Sequence, residues 1–498
     1  MNKMEIICYK CGKRFDKYQQ LRFTFITSSP YVKCPYCKAK RYLNLEGVKK
    51  LALFKIPENV QSKQKQETGP NLKLKKGQTI QDLINEARRL VMEKLGNYKD
   101  VSKCITDIND LKKFFDETPD GTEIGFDTET TGLNFYQDQI VGLSLCNGKD
   151  ALYVPINHKS AIYGTKLRGQ IPEDDIRNLF KDMTTNRNYN WLYHNSKFDL
   201  GVMRTFLGFD MPAPYWDTML VSFLFNQDEE HSLKFQYNKY IATEDEGVNR
   251  FDTLFKGVTF DYVPLDIATI YAGKDALMTY ELFKYQKNKI EQPGMEGLKT
   301  IWETIEKPLI PILSDMNRCG VNINMGMLDN LYQKYAERLA IAENQVQAEI
   351  DKYKDKIEEY KVKHYNHKLS DPIMISSPMQ LSILFYDIIG YKTKSGKGTG
   401  VSELQEINSP LTNALLEYRK MSKMIDAFLV ALPKKVEPSD GKIHTTLNQI
   451  GAATGRFASS EPNLQQIPSR GEGKEIRRIF GATKGYIMMS SDFSQLAA

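Results

Sequence analysis

Asp127 and Glu129 stand two residues apart, just past a segment, Glu123–Phe126, that reads as a strand. On a strand, residues i and i+2 project from the same face, so the two acids lie side by side while Thr128 faces away. Neighbouring carboxylates repel each other unless a cation sits between them. A fold that buries this segment would favour a cation at the strand end. Hard carboxylate oxygens select Mg²⁺ or Mn²⁺ rather than zinc.

Two further carboxylates follow in order. Tyr193-His194-Asn195-Ser196-Lys197-Phe198-Asp199 reads as a buried strand ending in a polar turn, with Asp199 opening the next helix. Tyr271-Ala272-Gly273-Lys274-Asp275 falls on a helix expected from about Ile267 to Ile290. Tyr271 and Asp275, four apart, share one face of it. Four carboxylates and a tyrosine on a sheet-plus-helix scaffold suit in-line hydrolysis of a phosphodiester by two metal ions roughly 3.5–4 Å apart. Asp127 would bridge the ions, and Tyr271 would orient or help deprotonate the attacking water. The order DxE, NxxxD, YxxxD resembles the tyrosine-containing subgroup of the DEDD exonuclease superfamily. The DxE pair alone could equally be a solvated acidic strand end; the ordered set is what carries the resemblance. It implies that Asp127, Glu129, Asp199 and Asp275 hold Mg²⁺ and that Asn195 touches substrate. It also implies that Leu133 wedges near the terminal base, although an ordinary core leucine is the plain alternative. Asp217, in Trp216-Asp217-Thr218, is similar to a family position, and capping of the next helix explains it adequately.

From about Val101 to Gln292 strand and helix patterns alternate. Strands are expected at Glu123–Phe126, Ile140–Cys146 and Ala151–Pro155, a turn at 134–138, and a helix over Glu173–Met183. This describes a mixed sheet flanked by helices. Beyond Gly294 the chain turns helical. Leu339, Ala342, Val346, Ile350, Tyr353, Ile357 and Tyr360 continue a heptad seam from Tyr335, which predicts one long charged helix suited to an antiparallel helix pair.

Several blocks in this half resemble family A DNA polymerases. Glu306–Leu313 with Asn317–Val321 looks like the entry to the thumb, and Ser377–Leu381 with Leu384-Phe385 like the next landmark. Ala453-Thr454-Gly455-Arg456-Phe457-Ala458-Ser459-Ser460 and Pro462-Asn463-Leu464-Gln465-Gln466-Ile467-Pro468 are the most specific. The resemblance implies that Thr454, Arg456, Asn463, Gln465 and Gln466 line the primer-template duplex, where amides and an arginine reach minor-groove acceptors common to every base pair. The family usually has Asn at the position of Gln466. Ser491-Asp492-Phe493-Ser494-Gln495 looks like the motif whose Asp holds the polymerase metals. The family continues with a Glu that screens out ribonucleotides; here the chain runs on as Leu496-Ala497-Ala498. The expectation is a polymerase interrupted within that motif by an intron, intein, split gene or truncated record, unable to synthesise DNA alone. With no 5′ nuclease domain ahead, it is expected to be of phage type. The resemblance spans about Val101 to Gln495.

The N-terminal stretch is different. Cys8-x-x-Cys11 and Cys34-x-x-Cys37 are two of the thiol pairs that suit tetrahedral structural Zn²⁺, and lysines and arginines crowd them. Paired CxxC units in a chain of 498 residues point to a reducing compartment and a metal rather than disulfides. Net charge is +6, too mild to diagnose a nucleic-acid binder. No run approaches the ~20 apolar residues of a membrane span. The KTKSGKGTG segment does not fit GxxxxGK[ST], so no nucleotide triphosphatase is read there.

The expected fold is thus multi-domain α/β. A zinc-ribbon-like module at 1–46 is followed by a basic linker and amphipathic helix at 47–100. A ribonuclease H-like 3′→5′ exonuclease domain at 101–292 and a helical thumb with the first part of a palm at 293–498 complete it. Proofreading exonuclease activity with primer-template binding is the expected function, and a non-catalytic primer-template-binding piece of a split polymerase is the alternative. Expected cofactors are two Mg²⁺ or Mn²⁺ ions and structural Zn²⁺. Expected partners are primer-template DNA and single-stranded 3′ ends, with a complementary C-terminal fragment or replication proteins as further candidates, in the cytoplasm.

Overall fold

The computed structural model describes residues 78–491, apart from 135, 162, 244–250, 256–257, 366–367 and 395, together with four short strands nearer the N-terminus. Those strands form two antiparallel pairs: β1 (Ile6–Ile7) with β2 (Arg14–Phe15), and β3 (Tyr31–Lys33) with β4 (Lys40–Tyr42). Cys8, Cys11, Cys34 and Cys37, the linker at 55–77 and Asp492 lie outside the described residues.

Two compact units divide the chain. One comprises 63–320 with 444–465, the other 1–62, 321–443 and 466–498. The first is organised by a six-stranded mixed sheet in the order β10-β9-β6-β7-β8-β5. Its strands are β5 (Ser102–Cys104), β6 (Glu123–Thr130), β7 (Ile140–Cys146), β8 (Ala151–Pro155), β9 (Asn190–Tyr193) and β10 (Trp216–Asp217). β6 runs antiparallel to β7 and parallel to β9, so it sits inside the sheet with partners on both edges. Every residue of β7 and β8 is buried, as mostly apolar strands covered on both faces should be.

Helices cover the two faces. On one lie α1 (Ile80–Leu95) and α7 (Leu265–Ile290); on the other α2 (Ile108–Glu117), α3 (Glu173–Asn186) and α4 (Ser196–Leu207). α5 (Thr218–Phe225) and α6 (Leu233–Tyr240) lie between α4 and α7 in the chain. Thr79 and Asp82 form a reciprocal capping box that starts α1. Its apolar stripe, Ala87, Val91 and Leu95, then packs in the same cluster as Ile267, Ile270 and Tyr271 of α7. On the other face Phe126 of β6 meets Trp191 and Tyr193 edge-on at 5.7 and 5.5 Å.

Two glycines set how closely α7 lies on the sheet. A Cβ on Gly125 of β6 would fall 2.5 Å from the Ala276 carbonyl oxygen, and one on Gly273 of α7 would fall 2.2 Å from Ser102 Oγ. Backbone thus rests almost on backbone, and the turn of helix between these contacts is the one carrying Asp275. α8 (Lys307–Cys319) and the hairpin β13 (Thr446–Asn448) with β14 (Ala458–Ser460) complete this unit.

In the second unit α9 (Met325–Asp351) buries Leu328, Leu331, Tyr335, Leu339, Ala342, Val346 and Ile350, the expected seam, and packs against α11 (Pro410–Met424). The seam does not run through one helix, however. α9 ends at Asp351, and a separate α10 (Lys354–Lys363) carries buried Ile357. Between α9 and α11 Arg338 pairs with Glu417, and also with Glu472 at 3.0 Å. A three-stranded antiparallel sheet, β12 (Lys442–Ile443), β11 (Val321–Ile323) and β15 (Phe480–Gly481), closes the unit. No helix among the described residues is long and apolar enough to cross a membrane.

Candidate active site

The alternation of β6 separates its residues as expected. Gly125, Asp127 and Glu129 share the face that meets α7, while Phe126 and Thr128 point to the other core. Because α7 rests on Gly125, Asp275 arrives beside the pair. One ligand oxygen from each of Asp127, Glu129 and Asp275 lies within 4.8 Å of the others.

Asp199 comes from the opposite face, in the first turn of α4. It is buried, and its Oδ1 accepts the Thr128 N–H at 3.0 Å and the Thr128 hydroxyl at 2.6 Å. It is therefore clamped to the residue between the two strand acids rather than gathered into the three-carboxylate cluster. Its charge nevertheless reaches Asp127. Thr128, read from sequence only as facing away, is the anchor that fixes this fourth acid.

The electrostatics follow from the crowding. Burial, then the charges of Asp199 and Asp275, push the Asp127 carboxyl well above its ordinary range. Burial, then Asp127 and Asp275, do the same to Glu129. Burial lifts Asp199 to about 7 against the restraint of its two bonds from Thr128. Asp275 Oδ1 is buried without a hydrogen-bond partner. Acids this crowded, with one carboxylate oxygen unsatisfied, suit a hard divalent cation: Mg²⁺ or Mn²⁺ would be held by Asp127, Glu129 and Asp275, with Asp199 alongside. Tyr271 lies one turn before Asp275, packed among Phe251, Phe255 and Phe260. Burial raises its phenol above the usual value, which keeps the hydroxyl protonated at neutral pH.

A pH dependence follows. A carboxyl whose folded-state pKa is raised stabilises the fold fully below its ordinary value near 3.8, and that contribution is lost as pH rises through about 7. Divalent metal reverses the loss by favouring the ionised form. The melting-temperature gap between Mg²⁺-loaded and chelator-treated protein should widen from pH 5 to pH 8 by at least ~2–4 °C, the shift produced by ~1 kcal/mol in a domain of this size. A gap that narrows over this range would contradict the site's electrostatics.

One residue beside the acids escaped the sequence reading, and another was read only in part. Lys234, on α6, places its ammonium on Asp275 Oδ2 and 4.6 Å from the centre of the Tyr271 ring. Nothing in the spacing around it distinguishes it from a solvated lysine. Asp217 does cap α5, accepting the Met219 and Leu220 N–H groups at 3.0 and 3.2 Å. It also accepts the N–H groups of Asn195 (3.2 Å) and Ser196 (2.7 Å) and the Ser196 hydroxyl (2.6 Å). It therefore holds the turn from which Asp199 emerges.

The remaining candidates lie at the surface. Leu133 is 88% exposed, which removes the core-leucine alternative. Its loop is tied down where the Tyr136 hydroxyl meets His444 Nδ1 at 2.9 Å. Asn195 is exposed and sits in the left-handed region at φ 72°. Thr454 and Arg456 are exposed on the loop joining β13 to β14, either side of Gly455 at φ 73°. Asn463 and Gln466 are exposed as well. Gln465 is different: its amide donates to the Phe457 carbonyl at 2.7 Å and accepts the Ser459 N–H at 3.1 Å. A DNA contact was expected of it, and these two bonds also brace the loop. Lys197, beside Asn195, donates to the Leu447 carbonyl and so ties β13 to α4.

Two family models match separate parts of the chain. Residues 102–291 match the family model for 3′-5′ exonuclease, and residues 338–497 that for DNA polymerase family A. The DNA polymerase I of Pseudomonas aeruginosa is 29% identical over 389 residues, covering 75% of this chain and 40% of that protein. That of Synechocystis sp. is 29% identical over 416 residues, covering 79% and 39%. The chain thus spans about two fifths of the length of these relatives. The solved POL domain of Pol1 from M. smegmatis, in complex with DNA primer-template and dNTP, shares the fold with a TM-score of 0.54 at 22% identity, over 77% of this chain and 59% of that one.

Proposed function

We infer that this chain is the exonuclease-bearing part of a family A DNA polymerase and that it removes 3′-terminal nucleotides from DNA by metal-assisted hydrolysis. The observation that carries this reading is the meeting of Asp127, Glu129 and Asp275 within 4.8 Å, beside Asp199 and Tyr271. When bound, divalent cations supply a nucleophile at neutral pH and stabilise the leaving 3′ oxygen.

The chain's own residues supply the rest. Asp127, Glu129 and Asp275 hold the cations, and Thr128 fixes Asp199 where it can share in that task. Tyr271, one turn before Asp275 on α7, is placed to orient the attacking water or help deprotonate it. Exposed Leu133 offers an apolar wedge beneath the last base, with Asn195 close to the acids in sequence. Thr454, Arg456, Asn463 and Gln466 present polar groups suited to the primer-template duplex that the mycobacterial relative holds. Because Lys197 and Tyr136 tie the β13–β14 hairpin and its lead-in to the nuclease unit, grip and hydrolysis share one scaffold.

The test is a 5′-labelled single-stranded oligonucleotide, with the released nucleotides identified by chromatography. Stepwise release of deoxynucleoside 5′-monophosphates that requires Mg²⁺ is expected; intact oligonucleotide at every Mg²⁺ concentration would remove the reading.

Zinc at Cys8, Cys11, Cys34 and Cys37 belongs to the same proposal. Each cysteine pair falls in sequence between the two strands of one antiparallel pair, β1–β2 and β3–β4, which is the arrangement a paired-knuckle site needs. Elemental analysis should find about one zinc per chain, and zinc-free folded protein would exclude the site.

A further inference from the structure

We propose that Lys234 is a built-in cation of the acidic cage that competes with divalent metal for Asp275 and so sets the metal concentration at which the site fills. The proposal rests on the metal-centre reading above and adds to it a residue that the carboxylate motifs do not contain.

The lysine is placed there by core packing. Leu233 and Tyr237 of α6 pack against Met278 and Leu282 of α7, and the Tyr237 hydroxyl donates to Glu281 at 2.7 Å. This seats α6 along the helix that carries Asp275. Lys234 then extends from the seated helix with its side chain only 16% exposed, ends on Asp275 Oδ2 and lies over Tyr271. It thus engages one oxygen of Asp275, leaving Oδ1 without a partner.

A metal ion and an ammonium have different uses for the same carboxylate. The ammonium is a compact point charge that neutralises but supplies no open coordination position. A divalent ion drawing on Asp275 therefore meets a positive charge already in contact with its ligand. The two cations repel across a short, partly buried distance, where a unit charge still acts strongly. Lys234 thereby spares the metal-free site some of the repulsion among its acids, and it raises the metal concentration needed to fill it.

The experiment is a Mn²⁺ titration followed by electron paramagnetic resonance, on the full chain without DNA. Lys234→Met, which keeps most of the stem and removes the charge, should bind Mn²⁺ about tenfold more tightly than the parent. Lys234→Arg should stay within about threefold of it, since the charge remains. In chelator, Lys234→Met should melt below the parent and gain more from added Mn²⁺. Should the methionine variant not fold without metal, Lys234→Gln, which keeps a donor for Asp275, is expected to tighten binding in the same direction. Unchanged or weaker Mn²⁺ affinity in the uncharged variants overturns the proposal, weaker affinity marking Lys234 as a positioning group for Asp275. A parent protein that binds no Mn²⁺ fails the metal-centre reading itself, so the two failures are distinct.

Discussion

Asp127→Ala is expected to slow 3′-end hydrolysis of single-stranded DNA by ~10³-fold or more, while the folded protein in chelator becomes no less stable than its parent. Asp127 has Glu129 on its own strand, Asp275 against it and the Asp199 charge nearby. Removing it takes one carboxylate from the three-acid cluster and one acidic neighbour on β6 from Asp199. Metal assistance contributes several kcal/mol to such a reaction, and each ~1.4 kcal/mol is a factor of ten in rate. The stability half has the opposite sign. Without metal, Asp127 is a half-buried acid raised by burial and by two like charges, so its loss relieves repulsion and leaves little cavity behind. Single-turnover hydrolysis of a labelled oligonucleotide and thermal melting in chelator measure the two together. Activity within tenfold of the parent would detach Asp127 from the chemistry. A drop in melting temperature of many degrees would make it a structural residue instead.

What the sequence disclosed about this site was set by how local each signal is. The acidic pair on β6 was readable because strand alternation spans two residues, and Ile140–Cys146 and Ala151–Pro155 were readable as short, mostly apolar runs. The helix bearing Tyr271 and Asp275 begins two residues before the expected Ile267, a small error at a terminus with no side-chain cap. Contacts made across the fold left no such trace. Lys234 meets Asp275 only because α6 is seated on α7, and Asp217 reaches back over twenty residues to the Asn195–Ser196 turn. Gln465 was read for its reach toward a minor groove, and its bonds to the backbone of its own loop, formed across six and eight residues, were not readable. The heptad seam gave the buried positions correctly as far as Ile350, and again at Ile357, but neither the half-exposed Tyr353 between them nor the break after Asp351, since apolar spacing reports which face is covered, not whether the helical hydrogen bonds continue. Gly125 and Gly273 carried no readable role until a helix backbone was seen lying on a strand.

Asp217→Ala should cost roughly 4 kcal/mol or more and should also weaken Mn²⁺ binding, although Asp217 is not one of the three clustered acids. If the residue were only the cap of α5, its loss would cost about 1 kcal/mol and leave the metal site untouched. The structure gives it five donors, from both ends of the Asn195–Leu220 segment: the N–H groups of Asn195, Ser196, Met219 and Leu220, and the Ser196 hydroxyl. Stranding a buried donor costs roughly 1–3 kcal/mol, and water can reach few of these, since Ser196, Asp217 and Leu220 are all buried. The second effect follows from the backbone. Asn195 is held at φ 72°, a left-handed conformation that asparagine adopts as a single residue when local hydrogen bonds fix it. Without Asp217 accepting from Asn195 and Ser196, that turn relaxes, the first turn of α4 moves with it, and Asp199 leaves Thr128. Asp217→Asn, which retains one accepting oxygen, should lose about half as much stability. A chemical denaturation series paired with Mn²⁺ titration separates the possibilities: a loss near 1 kcal/mol with parental metal affinity would return Asp217 to a simple helix cap, whereas a joint loss makes it the residue that positions Asp199.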